Sequence, residues 1–260
     1  MIQRIGVLAL LIFILAATLV SLYAGSKGRY RELRRIPGLE VIKEAVGRSA
    51  EMGRGVIFST GSGSGGLNSD SAPYHLAGLN TLGYVANLAA TAQTPLTFVS
   101  AYPELMPLAQ DTMRDAYTVA GEPEAYSDAA VQYYGKGWGY ASACMGRMEE
   151  ERPAAALWLG IFWSEALLLS ETGNAVGAFQ IAGQPDSVNL PFQIASCDYV
   201  LIGEEMFVTG AYLSGDKALL GSVFAAEATK VLVITLVVGG AILSTISVAW
   251  LSQLLIAGGV

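Results

Sequence analysis

The chain has 260 residues, a formal net charge of -7, 53% hydrophobic residues and only 14% charged residues, against roughly 25% charged in an ordinary soluble protein. The negative balance argues against nucleic acid as a partner, because a polyanion is held by a cationic face that releases its counterions. One histidine and two cysteines, Cys144 and Cys197, are too few soft ligands for a typical structural zinc site; no metal-binding residues are assigned, and a carboxylate site for magnesium stays open. With no CxxC spacing, both cysteines are read as free thiols.

In chain order, residues 5–24 carry no charge. At about 1.5 Å per residue they match a hydrocarbon core of roughly 30 Å. A transmembrane helix over 1–25 is expected. The alternative, a cleaved signal peptide, is disfavoured because Leu22 and Ala24 make a poor small-x-small cleavage site. Eight of the fifteen Lys and Arg residues then fall between Lys27 and Arg54. Such a flank marks the cytoplasmic side, so the large domain is expected to be cytoplasmic.

Within this basic linker and helix, residues 26–54, Leu39, Ile42 and Val46 lie on one helical face and Glu40, Glu44 and Arg48 on the other. Gly53 is the expected C-cap. Residues 55–228 form the expected α/β domain. Val56 to Thr60 reads as a buried strand, followed by a glycine-rich loop and a helix from His75 to Ala92. Thr97 to Ser100 is a second strand, with the next helix over Ala109 to Ala120. Ala130 to Tyr134 is a third strand, before a GKGWG loop and the helix that holds Cys144 and Met148. The apolar stretch Ala154 to Leu169 reads as a buried core helix interrupted by Glu165; a third membrane span or re-entrant segment is the alternative. Ala178 to Ala182 and Pro191 to Ala195 read as two more strands, the latter leading through Cys197 and Asp198 into a helix near Gly203 to Leu213. Finally, no charged residue occurs from Val231 to Val260, so a second transmembrane helix is expected over 229–260. Gly240, Ser244 and Ser247 share a face of it, which suits close helix approach and a homo-oligomer.

Strands alternating with helices predict an α/β fold, a mainly parallel sheet with flanking helices, Rossmann-like, bracketed by the two terminal spans. Ligands of such folds bind at the carboxyl edge of the sheet. Ser59, Thr60, Gly61, Gly63, Tyr102, Lys136, Asp198 and Glu204 are therefore the candidate ligand-binding residues. Gly61, Gly63 and Gly66 satisfy G-x-G-x-x-G after a strand, but the helix begins only after Pro73, and no acidic residue lies between Asp70 and Glu104 to hold a ribose. The loop is either an anion-binding backbone or a flexible turn. Lys136, between glycines, is either an anion contact or a solvated turn lysine. Glu204 and Glu205 suit the first turn of a helix without further purpose. Glu165 and Glu171 need partners if buried.

The stretches EMGRGVIF (Glu51 to Phe58), EALLLSETG (Glu165 to Gly173), GAFQIAG (Gly177 to Gly183) and CDYVLIGEE (Cys197 to Glu205) resemble an uncharacterised family of prokaryotic membrane-anchored proteins known only as a domain of unknown function. LAGL (Leu76 to Leu79) and AYTVAG (Ala116 to Gly121) add to the likeness. The family pattern carries a proline and a histidine where this chain has Gly55 and Ile57, and a threonine at Gln184. The resemblance implies this architecture and membrane attachment, and no activity. No nucleophile-base pair and no cofactor fingerprint stands out, so catalytic residues and cofactor stay open. The expected partners are the lipid bilayer, a second copy of the chain and a small anionic ligand. A membrane-tethered binding or scaffold protein is expected; a membrane-bound enzyme or sensor for a small phosphorylated or nucleotide-like ligand is the alternative.

Overall fold

In the computed structural model, the described residues are 11–16, 18–20, 23, 37–63, 65–214 and 217–245. The chain divides into two units. Arg34–Ser214 is one; Met1–Leu33 and Gly215–Val260 make the other.

In the first unit, α1 (Pro37–Met52) leads into β1 (Val56–Ser59), α2 (Ala72–Thr91), β2 (Leu96–Ser100), α3 (Leu105–Val119), β3 (Val131–Tyr133), α4 (Gly137–Glu151) and β4 (Ala155–Leu159). α5 (Glu165–Val176), β5 (Phe179–Gln184), α6 (Leu190–Ser196), β6 (Tyr199–Ile202) and α7 (Glu205–Ser214) complete it. All five strand pairings are parallel, in the order β3-β2-β1-β4-β5-β6. This is the doubly wound, Rossmann-like order, with its switch point between β1 and β4. Helices α1, α2, α3 and α7 pack among themselves, as do α4, α5 and α6, so both faces of the sheet are covered.

α1 has the expected amphipathic character: Ile42, Ala45 and Val46 are buried, and Glu40, Glu44 and Arg48 are exposed. Gly53, with φ +64, follows it, a conformation open to glycine at little cost. The core runs along the sheet through Phe58, Phe98, Leu157, Trp158 and Ile181.

Two elements differ from the sequence reading. Ala154 to Leu169 is not one helix. Its first part is β4, and the helix α5 begins only at Glu165. Every residue of β4 is buried, because it lies between β1 and β5 with helices on both faces. Such a strand shows no alternation and reads as a plain apolar run. Likewise Pro191 to Ala195 is not a strand but most of α6, and the strand follows at Tyr199. Pro191 opens the helix, where its missing N–H is no loss. Gln193 and Ser196, three apart, face inward, while Phe192 and Ile194 are exposed.

In the second unit, α8 covers Lys217–Thr245. Apolar side chains such as Val231, Ile234 and Val237 on it, and Leu11, Ile12, Leu15 and Leu19 near the other end of the chain, are exposed. Among the described residues no helix is long and apolar enough to cross a membrane. Of the two expected spans, residues 1–10, 17, 21, 22, 24, 25 and 246–260 lie outside the described residues.

A candidate ligand cavity at the carboxyl edge

Beyond β1 and β4 the backbone keeps pairing. Ile161 N–H donates to the Thr60 carbonyl (3.1 Å), and Gly63 N–H donates to the Ile161 carbonyl (3.0 Å). Glycines permit this approach: a Cβ at Gly160 would lie 2.6 Å from the Thr60 carbonyl carbon, and one at Gly63 would lie 2.9 Å from Trp163 Cδ1. Gly61 (φ +85) sits equally tight against the Ile161 carbonyl. The crevice at the switch point is therefore shut by backbone.

The glycine loop is then clamped from the β2 side. The Tyr102 hydroxyl donates to the Ser62 carbonyl (2.8 Å) and accepts from Gly65 N–H (2.9 Å). Burial and the nearby carboxylates of Glu165 and Glu104 push the Tyr102 phenol up, partly offset by Gly65 N–H, which keeps the hydroxyl a donor. His75, fully buried on α2, places Nε2 2.9 Å from the Gly65 carbonyl and its ring edge-on to Tyr102. Since a carbonyl only accepts, Nε2 carries the proton.

Beside this clamp lies a cavity of about 510 Å³. Four loops line it: Ser62 and Gly65 after β1, Tyr102 after β2, Lys136, Gly137 and Trp138 after β3, and Trp163, Ser164 and Glu165 after β4. Gly135 (φ +77) and Gly137 (φ +63) turn the chain around Lys136, whose Nζ stands 4.7 Å from the centre of the Tyr102 ring. Glu165 opens α5, is 6% exposed, and accepts from Ser62 Oγ at 2.5 Å. The buried carboxylate thus has a partner, whereas Glu171 is exposed. Both indoles are open, Trp138 at 67% and Trp163 at 53% exposure.

Of the residues expected from sequence, Tyr102 and Lys136 line the cavity. Ser59 and Thr60 are fully buried; Ser59 Oγ donates to the Val99 carbonyl and bonds the Tyr140 hydroxyl. Gly61 and Gly63 serve the backbone closure just described. Glu204 precedes α7, its carbonyl accepting from Phe207 and Val208, and does not line the cavity. Asp198 is placed at the other edge of the sheet. Because the preceding segment is α6, Asp198 stands at the start of β6 rather than after a strand, and its Oδ2 accepts from Gln180 N–H (2.7 Å). There it borders a second cavity of about 320 Å³ with Arg48, Asn174 and Phe179. Ser62, Gly65, Gly137, Trp138, Trp163, Ser164 and Glu165 were missed. The signal for Glu165 was a carboxylate interrupting an apolar run, and that for Trp138 an aromatic inside the GKGWG loop.

Neither thiol is poised to attack: burial pushes Cys144 and Cys197 each up to about 12. Burial lowers the pKa of His75 below its ordinary 6.5. The unfolded chain therefore takes up this proton first, so the contribution of His75 to stability is full above 6.5 and is lost as pH falls towards the lowered folded value. The slope in that window should reach up to about 1.4 kcal/mol per pH unit. His75→Gln, which keeps a donor for the Gly65 carbonyl, should flatten it; urea unfolding at stepped pH checks this, and an unchanged slope would place the proton elsewhere.

No curated protein and no solved structure matches the chain. The sequence model of the family described as "Domain of unknown function (DUF6754)" matches residues 1–255, and the chain belongs to that family.

Proposed function

We propose that this is a membrane-tethered binding protein whose Rossmann-like unit holds a small anionic ligand in the cavity at the carboxyl edge. The carrying observation is Lys136: a lysine held at the cavity by an aromatic face, with no carboxylate pairing it among the described residues. Its ammonium is a point charge with three donors and no acceptor. The first turn of α4, directly after Lys136, adds backbone N–H groups of the polarity that favours an anion.

The tether rests on the uncharged terminal runs of the sequence and on exposed apolar side chains such as Leu11, Ile12, Leu15, Leu19, Val231, Ile234 and Val237. The basic cluster from Lys27 to Arg35 favours a cytoplasmic position for the binding unit.

Calorimetry on the detergent-solubilised full chain tests the site. Inorganic phosphate should bind, and Lys136→Ala should weaken it about tenfold, the scale of one hydrogen bond to a charged group; Lys217→Ala should not. Equal effects of the two variants would leave only general surface charge. Release of the chain from membranes by an alkaline wash would remove the tether.

A further inference from the structure

The cavity stands to one side of where this topology holds a dinucleotide, and that displacement narrows the ligand. In the usual arrangement the pyrophosphate lies on the glycine loop at the switch point, against the N-terminus of the first helix, and a carboxylate after β2 takes a ribose hydroxyl. Each of these places is filled here. The crevice between the loops after β1 and β4 is closed by the hydrogen bonds of Thr60, Ile161 and Gly63. The Glu104 carboxylate lies against Gly66 and would repel a phosphate there. After β2 come Tyr102, with its hydroxyl engaged by Ser62 and Gly65, and Glu104, whose carboxylate is turned onto the glycine loop at Gly66.

What remains is one cavity with a cation and a carboxylate that do not pair with each other. Lys136 is held by the Tyr102 ring, and Glu165 by the Ser62 hydroxyl. A lysine ammonium only donates and a carboxylate only accepts. A ligand that satisfies both presents acceptors at one end and donors at the other. Among the described residues Ser62 is the one hydrogen-bond donor to Glu165, so the carboxylate keeps acceptor capacity for donors on a ligand. The exposed indoles of Trp138 and Trp163 offer flat apolar faces on which a ring can stack. About 510 Å³ falls in the lower half of the roughly 300–1,000 Å³ of sites for molecules of drug size. Bare phosphate or a single amino acid would leave most of that volume to water.

Resting on the anion reading above, we infer that the ligand class is a phosphorylated ring with free hydroxyls, the chemistry shared by sugar phosphates and nucleoside monophosphates. Its phosphate lies at Lys136 and its hydroxyls at Glu165, and dinucleotides are refused. The carboxylate that meets the sugar thus arrives after β4 rather than after β2.

Calorimetry on the full chain in detergent, near neutral pH, with inorganic phosphate, ribose 5-phosphate, adenosine monophosphate and nicotinamide adenine dinucleotide, tests this. At least one ring phosphate should bind about tenfold tighter than inorganic phosphate, and the dinucleotide no tighter than the mononucleotide. Equal affinity of the two ring phosphates assigns the sugar phosphate as the unit recognised; a tighter mononucleotide places the base on the indoles. Glu165→Gln should lose about tenfold for the ring phosphates and nothing for inorganic phosphate. Phosphate bound through Lys136 with no gain from any ring overturns the ligand class alone, as does a Glu165→Gln variant that weakens all ligands equally or a dinucleotide that binds tightest. If no anion binds to the wild type, the anion reading falls and the class with it.

Discussion

Gly160→Ala is expected to destabilise the α/β unit by about 3 kcal/mol or more, a large share of the roughly 5–15 kcal/mol that holds a domain folded. The added Cβ would stand 2.6 Å from the carbonyl carbon of Thr60 and 2.8 Å from its Cα. These are backbone atoms at the centre of the sheet, so no side chain can swing aside. Relief requires separating β1 from β4 at their carboxyl ends. That movement breaks the Ile161 to Thr60 and Gly63 to Ile161 hydrogen bonds, leaving buried backbone groups unpaired. Gly146→Ala is the control. It makes the same chemical change within α4, where a Cβ meets nothing within 4 Å, and should stabilise by up to about 1 kcal/mol through helix propensity. Urea unfolding followed by tryptophan fluorescence compares the two. A Gly160→Ala protein as stable as the wild type would show that the two loops do not approach as described.

The sequence displays this sheet unevenly, for reasons visible in particular residues. β1 and β2 were legible because VIFS and LTFVS are rich in branched and aromatic residues and are bounded by glycine and proline. β4, the strand that carries the switch point, was hidden because AALWL has two strong helix formers at its start and is buried on every residue. The tetrapeptide FQIA shows the limit most directly, since it occurs twice in two conformations. At Phe179 to Ala182 it is a central strand, and at Phe192 to Ala195 it is helix. Nothing within those four residues can decide between them. Pro191 at the start of the second copy does.

The site followed the same divide. Tyr102 and Lys136 were found because they come just after strands whose ends could be read. Glu165 was noticed for the expense of burying a carboxylate but could not be placed, since the strand before it had been taken for helix. Asp198 went to the wrong edge through the exchange of α6 and β6. The glycine motif was visible and its reason was not: glycine serves close backbone approach to a neighbouring chain segment as well as to a phosphate, and only the paired loop after β4 distinguishes the two.

Gln180→Leu should cost about 3 kcal/mol although it preserves side-chain volume. Gln180 is fully buried on β5 and joins three elements through one amide. Its Oε1 accepts from Trp158 Nε1 on β4 (3.0 Å), and its Nε2 donates to the Ser170 carbonyl (2.7 Å) and Asn174 Oδ1 (3.0 Å) on α5 and to the Ser196 carbonyl (3.4 Å) on α6. Gly173 makes room for the amide, since a Cβ there would stand 2.8 Å from Nε2. A leucine would leave the indole N–H of Trp158, itself 1% exposed, without an acceptor in an apolar core. Each buried polar group stranded in this way costs about 1–3 kcal/mol. Replacing both partners by apolar groups is far less costly than replacing one, so Trp158→Phe introduced into Gln180→Leu should recover part of the loss, whereas Trp158→Phe alone should destabilise. The double-mutant cycle in urea unfolding therefore carries the argument: a favourable coupling of about 1 kcal/mol or more is expected between these two contacting residues. Strict additivity of the two substitutions would mean that the Trp158 to Gln180 hydrogen bond contributes nothing, and that Gln180 is held in the core by its contacts with α5 and α6.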